Sequence, residues 1–451
     1  MFTRRLFGTN GIRGVVNQDL TPEAVARIAS AIGTYFGGGR LLIGYDYRTS
    51  SPMLAQAAMA GLVSTGCDVY NAGYAPTPAI QYATKHFEYD GAVIITASHN
   101  PPEYNGVKVV APDGVEIPRE EEIKIEDIFF EGGLRLREWK RLGRITQRPG
   151  VLESYKEGIK GHIDVDAVGE ARFKVVVDPA NSVGALVTPY LLRELGCEVI
   201  TINAQLDGNF PGRMPEPRPE NLRELSAAVL ATGADLGVAH DGDADRAVFV
   251  DETGTVRWGD KTGATVVDYV LQSHPGGVVV TPVSSSRLIE EIVRARGGKL
   301  VWTRVGSIIV SRKMIEVDSV VSFEENGGVF YGPHQPVRDG AMATALILEI
   351  MAKRGSSMSQ LVEELPSYHL TKKKVMCPNE MKQRVLERLI SLTEGHERMT
   401  IDGVKILFED GAVLIRPSGT EPIYRVYAEA RSGERAREIA NWGVDLVQKS
   451  L

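Results

Sequence analysis

Cysteine is scarce in this chain: Cys67, Cys197 and Cys377 are odd in number, far apart and without a Cys-x-x-Cys spacing. That argues against a disulfide framework and against a cysteine zinc site, and a reducing cytoplasm is expected. Long hydrophobic runs are missing as well. No segment approaches the roughly 20 apolar residues that span a bilayer, and the start Met1-Phe2-Thr3-Arg4-Arg5-Leu6-Phe7-Gly8 lacks the apolar stretch of a secretory signal. Nor is there an excess of cations. Lys plus Arg number 51 against 58 Asp plus Glu, a formal net charge of −7, which argues against non-specific nucleic-acid binding and leaves room for a local basic pocket around a small anion.

What is present is enough apolar residue for several cores: 43% of 451 residues, a length that suits three or four domains. One plan recurs three times. The strand-like Leu41 to Asp46, a helical stretch Pro52 to Thr65 and a strand from Gly66 to Tyr70 form the first copy. Phe173 to Asp178, Gly184 to Leu195 and Gly196 to Ile200 form the second; Val278 to Thr281, Ser286 to Arg296 and Gly298 to Val301 the third. Strand, crossover helix and strand favour parallel pairing, so three related mixed α/β domains are expected. The last portion reads as α+β, with helices at Met381 to Leu392 and Glu434 to Val447 around strands at Val404 to Phe408, Val413 to Ile415 and Tyr424 to Tyr427. The expected domains are 1–150, 151–253, 254–366 and 367–451. The charged run Arg119 to Glu131 reads as a solvated helix face.

Four loops carry candidate chemistry. Thr96-Ala97-Ser98-His99-Asn100-Pro101-Pro102 follows the apolar strand Ala92 to Ile95, which the prolines end, so Ser98 lies at a strand's carboxyl end, either as a turn hydroxyl or as a nucleophile. Lys108 follows on the next strand. Asp241-Gly242-Asp243-Ala244-Asp245-Arg246 places three carboxylates between two apolar runs; they would repel unless they shared a hard cation, and magnesium fits. An EF-hand reading fails, because Arg246 occupies the sixth position where glycine is required and the flanks are strand-like. Glu324-Glu325-Asn326-Gly327-Gly328 suits either sugar hydroxyls or an exposed turn. Arg416-Pro417-Ser418-Gly419-Thr420-Glu421-Pro422, with Arg425 as a second fork, suits a phosphate dianion.

Together with Phe7-Gly8-Thr9-Asn10-Gly11-Ile12-Arg13-Gly14, these loops resemble, in order and over essentially the whole chain, the α-D-phosphohexomutase superfamily. The resemblance implies a four-domain, heart-shaped enzyme that interconverts hexose 6-phosphate and hexose 1-phosphate through a phosphoserine enzyme and a hexose 1,6-bisphosphate. It implies that Ser98 carries the phosphoryl group, and that Asp241, Asp243 and Asp245 hold Mg2+ together with Ser98. Glu324 and Asn326 would recognise the sugar, and Arg416, Ser418, Gly419, Thr420 and Arg425 the non-reacting phosphate. Arg13, Lys108, Arg246 and Arg304 would surround the group in transfer, with His99 beside the serine. Lys108 is the proton-transfer candidate, its pKa expected to be depressed by neighbouring Arg13 and Arg246. His240, unusual before the metal loop, is assigned to packing.

The start and the phosphate loop look most like phosphoglucosamine mutases, whereas Glu-Glu-Asn-Gly-Gly looks like archaeal members, some of which handle mannose or glucose phosphates. Glucosamine phosphate is the expected substrate, with phosphomannomutase or phosphoglucomutase activity the alternative. The partners implied are small hexose phosphates, with no nucleic acid and no membrane, for a monomer or homodimer. A serine hydrolase, a non-catalytic sugar-phosphate sensor and a calcium-binding structural module are the rivals. The hydrolase is disfavoured because no Gly-x-Ser-x-Gly elbow exists, and because Ser98 and His99, as neighbours on an extended chain, should point apart.

Overall fold

A computed structural model describes residues 5–419 and 421–451, in two compact units: residues 1–262 with 326–361, and residues 263–325 with 362–451. Among the described residues no helix is long and apolar enough to cross a membrane.

The first unit holds two sheets. In the larger, strands run in the order Ile12–Val15, Tyr104–Val110, Gly91–Ile95, Arg40–Tyr45, Asp68–Tyr74 and Ile145–Gln147. The central strand Gly91–Ile95 is buried at every position, as expected for a strand covered on both faces. It pairs in parallel with Arg40–Tyr45 and antiparallel with Tyr104–Val110, setting Ile94 opposite Lys108. That register brings Lys108 back beside the loop that leaves Ile95. The second sheet has the order Val256–Arg257, Ala247–Asp251, Leu236–His240, Lys174–Asp178, Glu198–Thr201. A hairpin, Val329–Tyr331 with Gln335–Arg338, and the buried helix Gly340–Arg354 complete the unit.

In the second unit Val278–Pro282 pairs in parallel with both Lys299–Thr303 and Ser319–Phe323. The C-terminal sheet is antiparallel, ordered His369–Met376, Ile423–Ala430, Gly411–Pro417, Val404–Leu407, Arg398–Met399, with helices Lys382–Leu392 and Gly433–Ser450. The α/β architecture with a C-terminal α+β portion is borne out, and the repeated strand–helix–strand plan pairs in parallel in all three copies.

Three local expectations need correction. The helix read over Gly184 to Leu195 is a short 3-10 turn, Val183–Leu186, followed by an α-helix, Thr188–Glu194. Pro189 sits in that helix's first turn, where its missing N–H costs nothing, and so marks a new start. The strand His369–Met376 escaped notice because three consecutive lysines interrupt its alternation; it is an edge strand, where lysine guards against stray pairing. The run Arg119–Glu131 is a helix, but not simply a solvated one. Glu122 and Glu126 are buried, and Glu126 Oε1 accepts the backbone N–H groups of Leu6 (2.8 Å) and Phe7 (3.0 Å). That carboxylate therefore moors the segment leading to Arg13.

Candidate active site

Ser98 adopts the left-handed region (φ +51°) and is fully buried. Its backbone N–H donates to Thr96 Oγ1 at 2.9 Å, and the Thr96 hydroxyl donates to Asp46 Oδ2 at 2.6 Å. Arg48, also fully buried, holds the rest of the loop. Its Nη2 donates to the carbonyls of Ser98 (2.8 Å) and Asn100 (2.7 Å), its Nη1 to those of Pro101 (2.6 Å) and Tyr104 (3.1 Å), and its Nε to Asp46 Oδ2 (3.0 Å). Every N–H of the guanidinium is thus committed, four to carbonyls between Ser98 and Tyr104 and one to Asp46.

The acidic loop is strung between Leu236–His240 and Ala247–Asp251, and all three carboxylates are buried with ligand oxygens within 4.8 Å of one another. Gly242 lets this loop touch the serine loop. A Cβ there would stand 2.5 Å from the Ser98 carbonyl oxygen, closer than any side chain allows. Ser98 Oγ in turn donates to Asp241 Oδ2 at 2.9 Å. Asp243 Oδ2 receives the Thr77 hydroxyl (2.7 Å) and Lys108 Nζ (2.9 Å), and Asp245 Oδ2 receives Arg338 Nη2 at 2.5 Å.

The remaining oxygens, Asp243 Oδ1 and Asp245 Oδ1, are buried without a hydrogen-bond partner among the described residues. Buried acceptors left in this state are costly, and two such oxygens clustered with a third carboxylate, that of Asp241, are the donor set a hard divalent cation takes. The residues fit the ion. Burial, followed by the charges of Asp245 and Asp243, pushes the Asp241 carboxyl up to about 8. Burial acts on Asp243 in the same sense, but Lys108 and the Thr77 hydroxyl outweigh it and hold Asp243 below the usual carboxylate range.

Cations crowd the same place. Arg13 Nη1 donates to Asn100 Oδ1 at 2.5 Å, and desolvation, with Arg246 and Arg338 nearby, brings its guanidinium down to about 10. Arg246 lies 3.7 Å from both Asp241 and Asp245 and donates through Nη2 to His99 Nδ1 at 2.8 Å. Two expectations fail here. Lys108 is buried, which by itself lowers its pKa, but Asp243 and Asp245 (3.6 Å away) outweigh burial and raise it. The lysine is therefore protonated, because the attraction of Asp243, Asp245 and Glu116 outweighs burial and the repulsion of Arg338. Ser98 and His99 also do not point apart: the left-handed turn at Ser98 brings Oγ to 3.3 Å from His99 Nδ1. The hydrolase reading still gains nothing. That nitrogen already accepts from Arg246, and Arg246 together with burial holds the ring neutral by lowering its pKa.

His240 packs as expected, with defined partners. Its Nδ1–H donates to the Arg246 carbonyl (2.8 Å), which leaves Nε2 to accept from the Thr188 hydroxyl (2.8 Å). Thr77, Arg48 and Arg338 went unnoticed in the sequence, since none belongs to a loop motif.

The other predicted residues lie at three further places. Asn326 Oδ1 accepts the N–H of Gly328 at 3.2 Å, so its side chain shapes its own loop. In the second unit, Glu324 is buried at the end of Ser319–Phe323, and Arg304 is exposed after Lys299–Thr303. In the C-terminal sheet, Arg416 Nη2 meets Asp402 at 3.2 Å, and Arg425 Nη2 donates to Glu421 Oε2 at 2.8 Å. Lys382, which the sequence reading did not single out, gathers the carbonyls of Ser418 (2.5 Å) and Glu421 (2.6 Å). Among the described residues, chain neighbours aside, none lies within 4 Å of a Cβ placed on Gly419, while Thr420 lies outside the described residues.

Four family profiles match in succession: phosphoglucomutase/phosphomannomutase α/β/α domains I (residues 4–135), II (153–254) and III (258–368), and the C-terminal domain (373–442). A phosphoglucomutase/phosphomannomutase from Thermococcus kodakarensis is 46% identical over 99% of both chains. A phosphoglucosamine/phosphogalactosamine mutase from Sulfurisphaera tokodaii is also 46% identical, over 97% of this chain and 98% of its own. A crystal structure of a phosphoglucomutase/phosphomannomutase family protein from Burkholderia thailandensis superposes with a TM-score of 0.90 at 28% identity, covering 100% of this chain and 98% of that one.

Proposed function

Because the chain belongs to the phosphoglucomutase/phosphomannomutase family, we propose that it interconverts hexose 6-phosphate and hexose 1-phosphate through a phosphoryl group carried on Ser98. The observation that carries this reading is the Ser98 hydroxyl, 2.9 Å from Asp241, beside two buried carboxylate oxygens without partners and inside a ring of Arg13, Lys108, Arg246 and Arg338. Phosphoryl transfer asks for little else than positioning and charge neutralisation.

In the first half-reaction a sugar hydroxyl oxygen forms its bond to phosphorus as the Ser98 Oγ–P bond breaks. The hydroxyl passes its proton to an oxygen of the phosphoryl group in transfer and on to solvent, while Ser98 Oγ takes one from Lys108 Nζ, which solvent reprotonates. The same steps reversed, from the other end of the bisphosphate, restore the phosphoserine. Held protonated by Asp243 and Asp245, Lys108 serves as a charge and as a proton donor to the departing Ser98 oxygen, and does not serve as the base in this state. Arg13 and Arg246 offset the charge of the phosphoryl oxygens, and Asn100 orients Arg13. Magnesium held by Asp241, Asp243 and Asp245 would add Lewis-acid neutralisation of that charge. Arg416, Ser418, Gly419, Thr420 and Arg425 would grip the phosphate that does not react, and Glu324, Asn326 and Arg304 the sugar.

Glucosamine phosphate is the proposed substrate, supported by the naming of several relatives as probable phosphoglucosamine mutases; mannose and glucose phosphates are the second reading, supported by the Thermococcus relative. The proposed setting is the cytoplasm, which suits three buried free cysteines. An intact-mass spectrum with phosphopeptide mapping, paired with turnover of the three sugar phosphates with and without a chelator, tests the proposal. A phosphate on Ser98 and chelator-sensitive turnover are expected. An unmodified Ser98 after hexose bisphosphate treatment, with no turnover, would refute it.

A further inference from the structure

Outside this site the first unit contains a cavity of about 260 Å3 lined by Gln81, Tyr82, Lys85, His86, Asp113 and His334. Four of these residues lie on one face of the helix Thr77–His86, at the spacing that makes neighbours on a helix surface. Tyr82 is stacked between His86 and His334, 5.1 Å from each ring centre. His334 is only 8% exposed, yet neither of its ring nitrogens has a hydrogen-bond partner among the described residues; Nε2 lies 3.5 Å from Asp339 Oδ2. Asp339 can serve Nε2, but a buried Nδ1 without a partner is costly unless something in the cavity completes it.

The lining is rich in donors. It offers an exposed ammonium at Lys85, an exposed imidazole at His86 and the buried imidazole of His334. The one carboxylate, Asp113, already accepts the Val115 N–H at 3.1 Å through Oδ1. That set favours an anion.

The two elements that wall the cavity also hold two of the three metal-loop carboxylates. The helix begins with Thr77, which donates its hydroxyl to Asp243 Oδ2 (2.7 Å) and its N–H to the Asp243 carbonyl (3.0 Å). The strand Gln335–Arg338 ends with Arg338 on Asp245 Oδ2. Gln335 ties strand to helix through Pro78 O at 3.1 Å.

We propose that this cavity binds a small phosphate- or carboxylate-bearing metabolite between Lys85 and His334, and that its occupancy is coupled to the acidic loop through Thr77 and Arg338. Such coupling is reciprocal: an anion that shifts the metal's affinity has its own affinity shifted by the same factor.

The test follows the imidazole Cε1 resonances in the full chain, the His334 signal being the one lost in H334F, which keeps the ring stack. Inorganic phosphate and citrate are the two probes, distinguishing a phosphate from a carboxylate ligand. The titration is repeated in R416A to remove competition from the phosphate loop. At least one probe should move the His334 signal saturably, with the same curve in R416A and a curve about tenfold weaker in K85E, whose exposed position leaves the fold intact. The Mg2+ concentration at half-saturation, read by calorimetry, should shift about fivefold with the anion present and not at all in H334F. A His334 signal that moves with neither probe, or a K85E titration like that of the unaltered chain, overturns the site. Saturable binding without any change in Mg2+ affinity overturns the coupling. Both outcomes stand apart from whether the protein turns over a sugar phosphate.

Discussion

Arg48→Lys puts the serine loop to a sharp test, because the substitution keeps charge and burial and changes only the number of donors. Arginine here spends five N–H groups on five acceptors: one carboxylate oxygen and the carbonyls of Ser98, Asn100, Pro101 and Tyr104. An ammonium offers three. The Pro101 carbonyl keeps the N–H of Tyr104 and Asp46 Oδ2 keeps the Thr96 hydroxyl, but carbonyls served by two separate guanidinium nitrogens cannot all be reached from one ammonium, and each buried carbonyl left bare costs about 1–3 kcal/mol. Adding the poorer geometry of a point charge in place of a fork, the expected loss is about 3 kcal/mol. Because the unpaired carbonyls belong to Ser98 and its neighbours, turnover should fall about 100-fold, as for a reacting atom displaced by about 1 Å. Chemical unfolding, with steady-state turnover at saturating sugar phosphate, reads both. An Arg48→Lys protein with unchanged midpoint and unchanged kcat would refute the assignment of this arginine as the support of the serine turn.

Gly242→Ala should cost both activity and stability: its Cβ at 2.5 Å from the Ser98 backbone carbonyl forces two buried loops apart, so turnover should drop about tenfold or more and thermal unfolding should move to lower temperature. Glu126 gives a pH signature. Its burial would raise the carboxyl, but Arg119 and the N–H groups of Phe7 and Leu6 outweigh this and place it below the ordinary 4.5. The stabilisation is then complete above 4.5 and is lost as pH falls through the lowered value, so Glu126→Gln should flatten that part of the stability–pH profile and expose the segment before Arg13 to protease at neutral pH. Asp243→Asn removes the partner of Lys108, and isothermal titration of Mg2+ should show weakening of about tenfold or more, since a ligand charge is lost.

The four loops were legible because each sets polar residues at the end of an apolar strand, where a buried carboxylate or hydroxyl has few uses besides chemistry. The repeat was legible because glycine recurs between helix and second strand. The supporting residues were not. Arg48, Thr77 and Arg338 are ordinary letters in their own segments, and their importance arises only when the chain brings them to Ser98, Asp243 and Asp245. Lys108 shows the same limit in another form: Arg13 and Arg246 were visible as neighbours by motif, but the 2.9 Å contact that reverses the direction of its pKa shift is a product of strand register. His99 was misjudged from an extended-chain rule that the left-handed turn at Ser98 suspends.

The contacts that assemble this site span long stretches of chain: 143 residues from Ser98 to Asp241, 135 from Lys108 to Asp243 and 93 from Asp245 to Arg338. During synthesis at about 5–20 residues per second, the serine turn and the ammonium of Lys108 are made about 7–29 s before their carboxylates exist, and Asp245 about 5–19 s before its arginine. For that interval the nascent chain carries charges destined for burial with nothing to neutralise them. The acidic loop and the strand Gln335–Arg338 thus join a first sheet whose own strands, ending with Ile145–Gln147, have all been synthesised before them.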